Sequence, residues 1–246
     1  MTSPPTTTRI AHLSDLHFGE GEPALARRLA EEVREAAPDA IAVSGDLTRD
    51  AQAAQFRAAG EFLRGLGAPV VVVPGNHDIP HADHLWARFA KPRARWREAY
   101  PDGWPEVVVA GEAALIALDT TRRMQWHLDW SAGGIPLARR EALRRALRAQ
   151  EGRRRIVVAH HPLVHPEAGR RRAVPHGAEP TLALMREEGV EAVLSGHLHV
   201  SASLGSAPTL ILAASALSPR LKGEPNGWNL LTLHAAGLDV ERRRLE

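Results

Sequence analysis

The sequence predicts an α/β fold, with largely parallel strand pairing in its first half and a strand-rich final third. Three observations predict it. Short runs of Val, Ile, Leu and Ala recur along the chain, most without clear alternation, as in strands covered on both faces. Helical stretches separate those runs in the order expected of βα units. Several of the runs end abruptly in Asp, Asn or His.

The elements follow in order. Residues 1–8 (MTSPPTTT) are rich in Thr and Pro with nothing to bury, and read as an unstructured lead. Strands are expected at 10–13, 40–43, 70–73, 107–109, 115–118, 156–159, 192–194, 210–213 and 230–233, where the branched and aliphatic residues concentrate. Helices are expected at 23–37, 51–66, 81–99, 136–150 and 180–188, several of them opening with Pro in the first turn or after a polar capping residue. The final third carries more strand than helix, which points to a second sheet or an antiparallel extension. Residues 119–134, with Trp126, His127 and Trp130, are long for a plain connection and read as a functional loop. No internal repeat or linker divides the chain, so residues 9–246 read as one domain.

Composition excludes several classes of function. The 246 residues contain no Cys, which rules out a disulfide framework, a thiolate zinc site, a Cys-held iron–sulfur cluster and a Cys nucleophile. No apolar run approaches the roughly 18 residues that cross a bilayer, and the first residues lack the pattern of a signal peptide. A cytoplasmic protein with no membrane partner is the expectation. The formal net charge is +2, too small to argue for nucleic acid. The pI of about 9.6 reflects basic residues that are almost all Arg, with Lys91 and Lys222 the only lysines. Arg139, Arg140, Arg144, Arg145 and Arg148 fall on one expected helix, and a solvated face explains them more simply than a phosphate-binding surface does.

The chemistry gathers at the strand ends. The run at 10–13 leads into Ser14-Asp15-Leu16-His17, that at 40–43 into Ser44-Gly45-Asp46, and that at 70–73 into Pro74-Gly75-Asn76-His77-Asp78. The run at 156–159 leads into His160-His161-Pro162, and that at 192–194 into Ser195-Gly196-His197-Leu198-His199. Any one of these could be a turn or a cap. In an α/β sheet, however, the carboxyl ends of the strands line the crevice that binds ligands, so all five deliver polar groups to one edge. Two histidines at i and i+2 of an extended chain point the same way and disfavour each other's protonation, which calls for a metal.

In this order and context, Asp15-x-His17, Gly45-Asp46, Gly75-Asn76-His77-Asp78, His160-His161-Pro162 and Gly196-His197-x-His199 resemble the calcineurin-like metallophosphoesterase superfamily. The His-His-Pro form, the compact length and, more weakly, Pro225-Asn226 resemble its class III cyclic-nucleotide phosphodiesterase branch. The resemblance implies a four-layer αββα sandwich of two mixed sheets, with a dinuclear metal site at the strand carboxyl ends. It implies one ion held by Asp15, His17 and His199, a second held by Asn76, His160 and His197, and Asp46 bridging them. His160 is preferred to His161 because the family's ligand stands two residues before the proline. His77 is implied to face the substrate without binding metal, and Asp78 to orient it. His161, Trp126 and His127 are the residues expected to meet substrate. His12, His81, His84, His165 and His176 are expected to be structural or surface histidines.

Seven such ligands include only two carboxylates, so two divalent ions leave a formal charge of about +2, or about +1 with a bridging hydroxide. Nitrogen and oxygen ligation without thiolate suits Mn²⁺, Fe or Zn²⁺. The expected function is metal-dependent hydrolysis of phosphate esters by attack of that hydroxide, on a cyclic nucleotide or similar small diester. The rivals are a phosphomonoesterase or pyrophosphatase, a nuclease using the Arg-rich helix, and an inactive binding module, which loss of ligands would mark. No expected ligand is missing.

Overall fold

The computed structural model describes residues 7–80, 86, 90–122, 131–166, 173–205 and 207–245. Two mixed sheets lie face to face between two layers of helices. The first sheet starts with three parallel strands, β1 (Thr8–Leu13), β2 (Ala40–Val43) and β3 (Val70–Val72), linked through α1 (Pro23–Glu35) and α2 (Ala53–Arg64). Two antiparallel strands from the end of the chain, β10 (Gly227–His234) and β11 (Gly237–Arg244), complete it in the order β11-β10-β1-β2-β3. The second sheet contains β4 (Val107–Ala110), β5 (Ala113–Leu118), β6 (Arg154–Ala159), β7 (Ala192–Ser195), β8 (Ala202–Leu204) and β9 (Thr209–Leu212), in the order β4-β5-β6-β7-β9-β8. Its four central strands are parallel and its two edge strands antiparallel. The helices α3 (Ala94–Ala99), α4 (Leu137–Arg148) and α5 (Ala178–Glu187) complete the described elements.

Strand alternation divides the apolar side chains among three cores. Ile10, Ala40, Ala42, Val71, Leu231 and Leu233 pack between the sheets against Leu115, Ile156, Val158, Leu194 and Ile211. Ala11, Leu13, Ile41 and Val43 point the other way, onto Leu29 and Val33 of α1 and Phe56 and Leu63 of α2. On the far side, Ile116, Val157 and Val193 meet Leu143 and Leu147 of α4 and Leu182 and Met185 of α5. The inner strands of both sheets therefore have both faces covered, which accounts for apolar runs that do not alternate.

The four-layer architecture agrees with the expectation, and most elements lie within a few residues of their expected places. Thr8 departs from it: placed in the unstructured lead, it begins β1, is buried, and pairs with Leu233. Two strands were not anticipated. β8 is three residues long at a sheet edge, and β11 reads GLDVERRR, an edge strand whose charges mask its period-2 pattern. The second sheet also begins earlier than expected, with the β4–β5 hairpin in the middle of the chain. The helix expected over 81–99 is described only as α3 and at positions 86 and 90; the rest of that stretch lies outside the described residues.

Candidate metal centre

Eight side chains converge where β1, β2, β3, β6 and β7 end. Asp15 and His17 follow β1, Asp46 follows β2, Asn76 and His77 form a single 3-10 turn after β3, His160 follows β6, and His197 and His199 follow β7. The potential ligand atoms of Asp15, His17 and His199 lie within 4.8 Å of one another, as do those of Asp15, Asp46 and His160, and those of His17, Asp46 and His77. Asp46 Oδ2 lies 3.7 Å from His17 Nε2 and 3.5 Å from His160 Nε2. His160 Nε2 is 3.1 Å from Asn76 Oδ1. The residues expected as ligands are thus brought together from both sheets.

The local backbone is unusual. Asp15, His17, Asp46, His197 and His199 all have φ between 45° and 69°, in the left-handed region that non-glycine residues seldom adopt. The chain turns sharply at each strand end and aims these side chains inward, a conformation the surroundings must hold in place. Two glycines provide the necessary room. A side chain at Gly75 would overlap the Asp46 carboxylate, and one at Gly196 would overlap Ser14 and Asp15.

Each group is oriented from behind. Ser14 Oγ and the His197 amide donate to Asp15 Oδ2 at 2.6 and 3.1 Å, leaving Oδ1 facing His199 Nε2 at 3.2 Å. The His77 amide donates to Asp46 Oδ1 at 2.8 Å. Three histidines meet a backbone carbonyl through Nδ1: His160 that of Ser44 at 2.8 Å, His77 that of Arg49 at 2.8 Å, and His199 that of Arg220 at 3.1 Å. A carbonyl only accepts, so Nδ1 carries the proton in each ring and Nε2 is turned toward the cluster. Carbonyl partners of this kind are the usual support of metal-ligating histidines.

The electrostatics suit a bound cation. Asp15 Oδ1 and both ring nitrogens of His17 are buried without a hydrogen-bond partner, an uncommon arrangement for native polar atoms. Burial alone would raise the Asp15 carboxyl; His199, His17 and His160 together hold it well below the usual carboxylate range instead. Burial likewise opposes protonation of His17 and His199, yet Asp15 and Asp46 raise both. A carboxylate pair that draws protons onto neighbouring imidazoles is a place where divalent cations fit, with neutral histidines and an asparagine completing the donor set.

Two expected site residues have other surroundings. Both carboxylate oxygens of buried Asp78 are taken up by the Gly75, Leu47 and Thr48 amides and the Thr48 hydroxyl, at 2.9 to 3.1 Å. The carboxyl is pushed up to about 6, by burial first and by Asp46 second. Asp78 thus binds two strand-end loops together, while His77 Nδ1 meets the Arg49 carbonyl and its ring packs edge-on against His17. His161 shares a potential metal-holding group with His160 and His197. Its Nδ1 meets Thr120 Oγ1 at 2.7 Å and its Nε2 meets the Ser131 carbonyl at 2.6 Å, so both ring nitrogens are in use and the buried ring stays neutral, held well below its usual range by burial and by His160. It fastens both ends of the 119–134 segment to the His160 and His197 side of the cluster rather than facing outward to substrate. Trp126, His127, Trp130, His81 and His84 lie outside the described residues.

His12, expected to be structural, is fully buried between Ser44 Oγ at 2.9 Å and Asn229 at 3.3 Å, and burial lowers it to about 3. His176 lends its backbone carbonyl to Ile135. Pro225-Asn226 supports the site indirectly. Asn226 donates to the Ser215 and Ser218 carbonyls, holding the loop that presents the Arg220 carbonyl to His199. On the Arg-rich helix, Arg139 clamps the Asp119 and Thr121 carbonyls, and Arg144 and Arg148 pair with Glu187 and Glu188 at the end of α5.

Comparison with known proteins agrees with this geometry. Residues 8–201 match the family model for calcineurin-like phosphoesterases, and the chain belongs to that family. It is a metallophosphoesterase, a hydrolase of phosphate esters, and its family implies divalent metal ions. Among its relatives is a probable cyclic nucleotide phosphodiesterase of Synechococcus, 26% identical over 94% of this chain and 89% of that protein. Another is the 3′,5′-cyclic adenosine monophosphate phosphodiesterase CpdA of Escherichia coli, 24% identical over 84% of this chain and 74% of that protein. The fold is shared with a dimetal phosphatase from Danio rerio at a TM-score of 0.66, with 13% identity over 99% of this chain and all of that one. No helix among the described residues is long and apolar enough to cross a membrane.

Proposed function

We propose that this protein is a phosphodiesterase of cyclic nucleotides or similar small diesters, that residues 9–246 act as one domain, and that the strand-end cluster is its active site. Asp15, His17 and His199 would hold one divalent ion, Asn76, His160 and His197 a second, and Asp46 both. The orphaned atoms of Asp15 and His17 support this, as does the place of Asp46 between His17 and His160. The donor set suits Mn²⁺, Fe or Zn²⁺. Two such ions supply Lewis-acid activation of water and neutralise charge on the phosphoryl group. His77 gives its Nδ1–H to the Arg49 carbonyl, so Nε2 is the atom that would carry a proton to a phosphate oxygen or to the leaving group, from the imidazolium form.

One observation favours a diester over a monoester. Arg49 and Arg220, the arginines whose carbonyls touch site histidines, both direct their guanidinia to Glu20. Neither is then poised to neutralise the second negative charge of a monoester dianion. The names of the two relatives lean the same way. A small diester substrate, with nucleic acid possible but not favoured and no membrane partner, follows from the same reading: Arg139 is engaged with the loop at Asp119 and Arg144 and Arg148 with Glu187 and Glu188, which leaves less of α4 to track a nucleic-acid backbone. Steady-state kinetics with Mn²⁺ should give a higher kcat/KM for bis(p-nitrophenyl) phosphate than for p-nitrophenyl phosphate near neutral pH. The reverse order would make the protein a phosphomonoesterase.

A further inference from the structure

Glu20 lies just beyond the Asp15-x-His17 motif, in the turn where its amide bonds to the His17 carbonyl at 3.1 Å. Its carboxylate is shared. Oε2 lies 3.2 Å from Arg49 Nε and Oε1 lies 3.3 Å from Arg220 Nε. Arg49 is also 3.9 Å from Asp50. These two arginines belong to different loops, Arg49 to the one after β2 and Arg220 to the one between β9 and β10. Each offers its main-chain carbonyl to a histidine of the site, Arg49 to His77 and Arg220 to His199. One carboxylate therefore joins three loops, two of which supply the acceptors that set ring orientation and tautomer.

We propose that Glu20 is a positioning residue: by tying the Arg49 and Arg220 side chains to a single carboxylate, it fixes the backbone carbonyls that orient His77 and His199. The Arg49 amide is already held by the Phe18 carbonyl, but neither loop belongs to a strand ladder at its arginine, and a split ion pair adds a side-chain restraint to both at once. Glu20, Arg49 and Arg220 are partly buried, with 24%, 28% and 40% of their side chains exposed, so the pairing is neither fully solvated nor deeply desolvated. The two arms lead to different histidines, and the proposal rests on the assignment of His199 as a ligand and of His77 as a non-ligand facing substrate.

That asymmetry is the test. Full-length wild type, Glu20→Gln, Arg49→Met and Arg220→Met would be titrated with Mn²⁺ by calorimetry and assayed on bis(p-nitrophenyl) phosphate at saturating Mn²⁺. Arg49→Met should lower kcat by about 10-fold or more with Mn²⁺ binding intact. Arg220→Met should weaken the binding of one Mn²⁺ by about 10- to 100-fold, the usual effect of losing a partner behind a ligand. Glu20→Gln should show both effects, with a thermal midpoint close to wild type. If Glu20→Gln binds Mn²⁺ and turns over like wild type, or if both arginine variants show the same loss, the proposal is overturned. So too if Glu20→Gln only lowers KM for p-nitrophenyl phosphate: Glu20 would then mask the arginines rather than position the histidines. Wild type that binds no Mn²⁺ and hydrolyses neither ester would overturn the metal-site reading itself, a result distinct from these.

Discussion

Asp46 and His77 stand side by side in the site, joined by a 2.8 Å hydrogen bond from the His77 amide, yet their side chains are assigned opposite duties. Asp46 is one of two carboxylates among the proposed ligands, and its Oδ2 lies between His17 and His160, at 3.7 and 3.5 Å. Asp46→Asn should therefore release metal, while His77→Ala should keep it and lose turnover by about 10²-fold, the usual scale for a positioned acid. Elemental analysis of the two purified variants, set against kcat, separates the roles; His77→Ala arriving without metal would sink the assignment. These residues were legible in the sequence because imidazole and carboxylate directly after buried strands have few bland explanations when five such ends coincide. Their supports were not. The acceptors behind His77, His160 and His199 are main-chain carbonyls, which every residue carries, and Glu20 is one acid among 29 acidic residues. The roles expected of Asp78 and His161 rested on adjacency in the chain, and both side chains turn to partners that no spacing rule indicates.

Among the elements, apolar runs gave the central strands reliably because both of their faces are covered. The edges failed for the converse reason: β11 keeps Val240 and Leu238 toward the neighbouring sheet but alternates them with charge. Helix ends show how far local chemistry is from optimal away from the site. α1 ends at Glu35, and Ala37, two residues on, sits at φ 45° on the surface, a position where glycine is the ordinary choice. Ala37→Gly should raise stability by about 1 kcal/mol, since relief of left-handed strain outweighs the added freedom of the unfolded chain. Urea unfolding would measure it. A loss of stability there would mean that the residue preceding Pro38 gains more from its restricted backbone than it loses to strain.

At the scale of the molecule, the proposed ligands come from both sheets: Asp15, His17, Asp46 and Asn76 from the first, His160, His197 and His199 from the second. Ions bound there would fasten one sheet to the other. Because the unfolded chain cannot reproduce that arrangement, Mn²⁺ at about 100 times its dissociation constant should add about 2.7 kcal/mol of stability. For a chain of this length that corresponds to a rise in Tm of roughly 5–10 °C. Melting curves in Mn²⁺ and in EDTA would show the difference, and coincident curves would argue that the cluster binds no ion in the folded state.

The order of strands in the first sheet also governs how the chain can assemble. Among the described strands β1 comes first, and one of its neighbours, β10, follows all but one of the others; Thr8 pairs with Leu233, and His12 with Asn229. During synthesis β1 and β2 can pair early, but the other edge of β1 stays open until β10 has been made, more than 200 residues later. That open edge belongs to the strand that leads into Asp15 and His17. Closing it late means bringing together residues more than 200 positions apart, a slow step by the usual dependence of folding rate on the separation of contacts. The nascent protein therefore carries an open, apolar strand edge while those residues are made, the condition under which chains cling to one another. The same late arrival sets when chemistry can begin: the loop bearing Arg220 immediately precedes β10, so the last acceptor of the site reaches His199 only as the sheet closes.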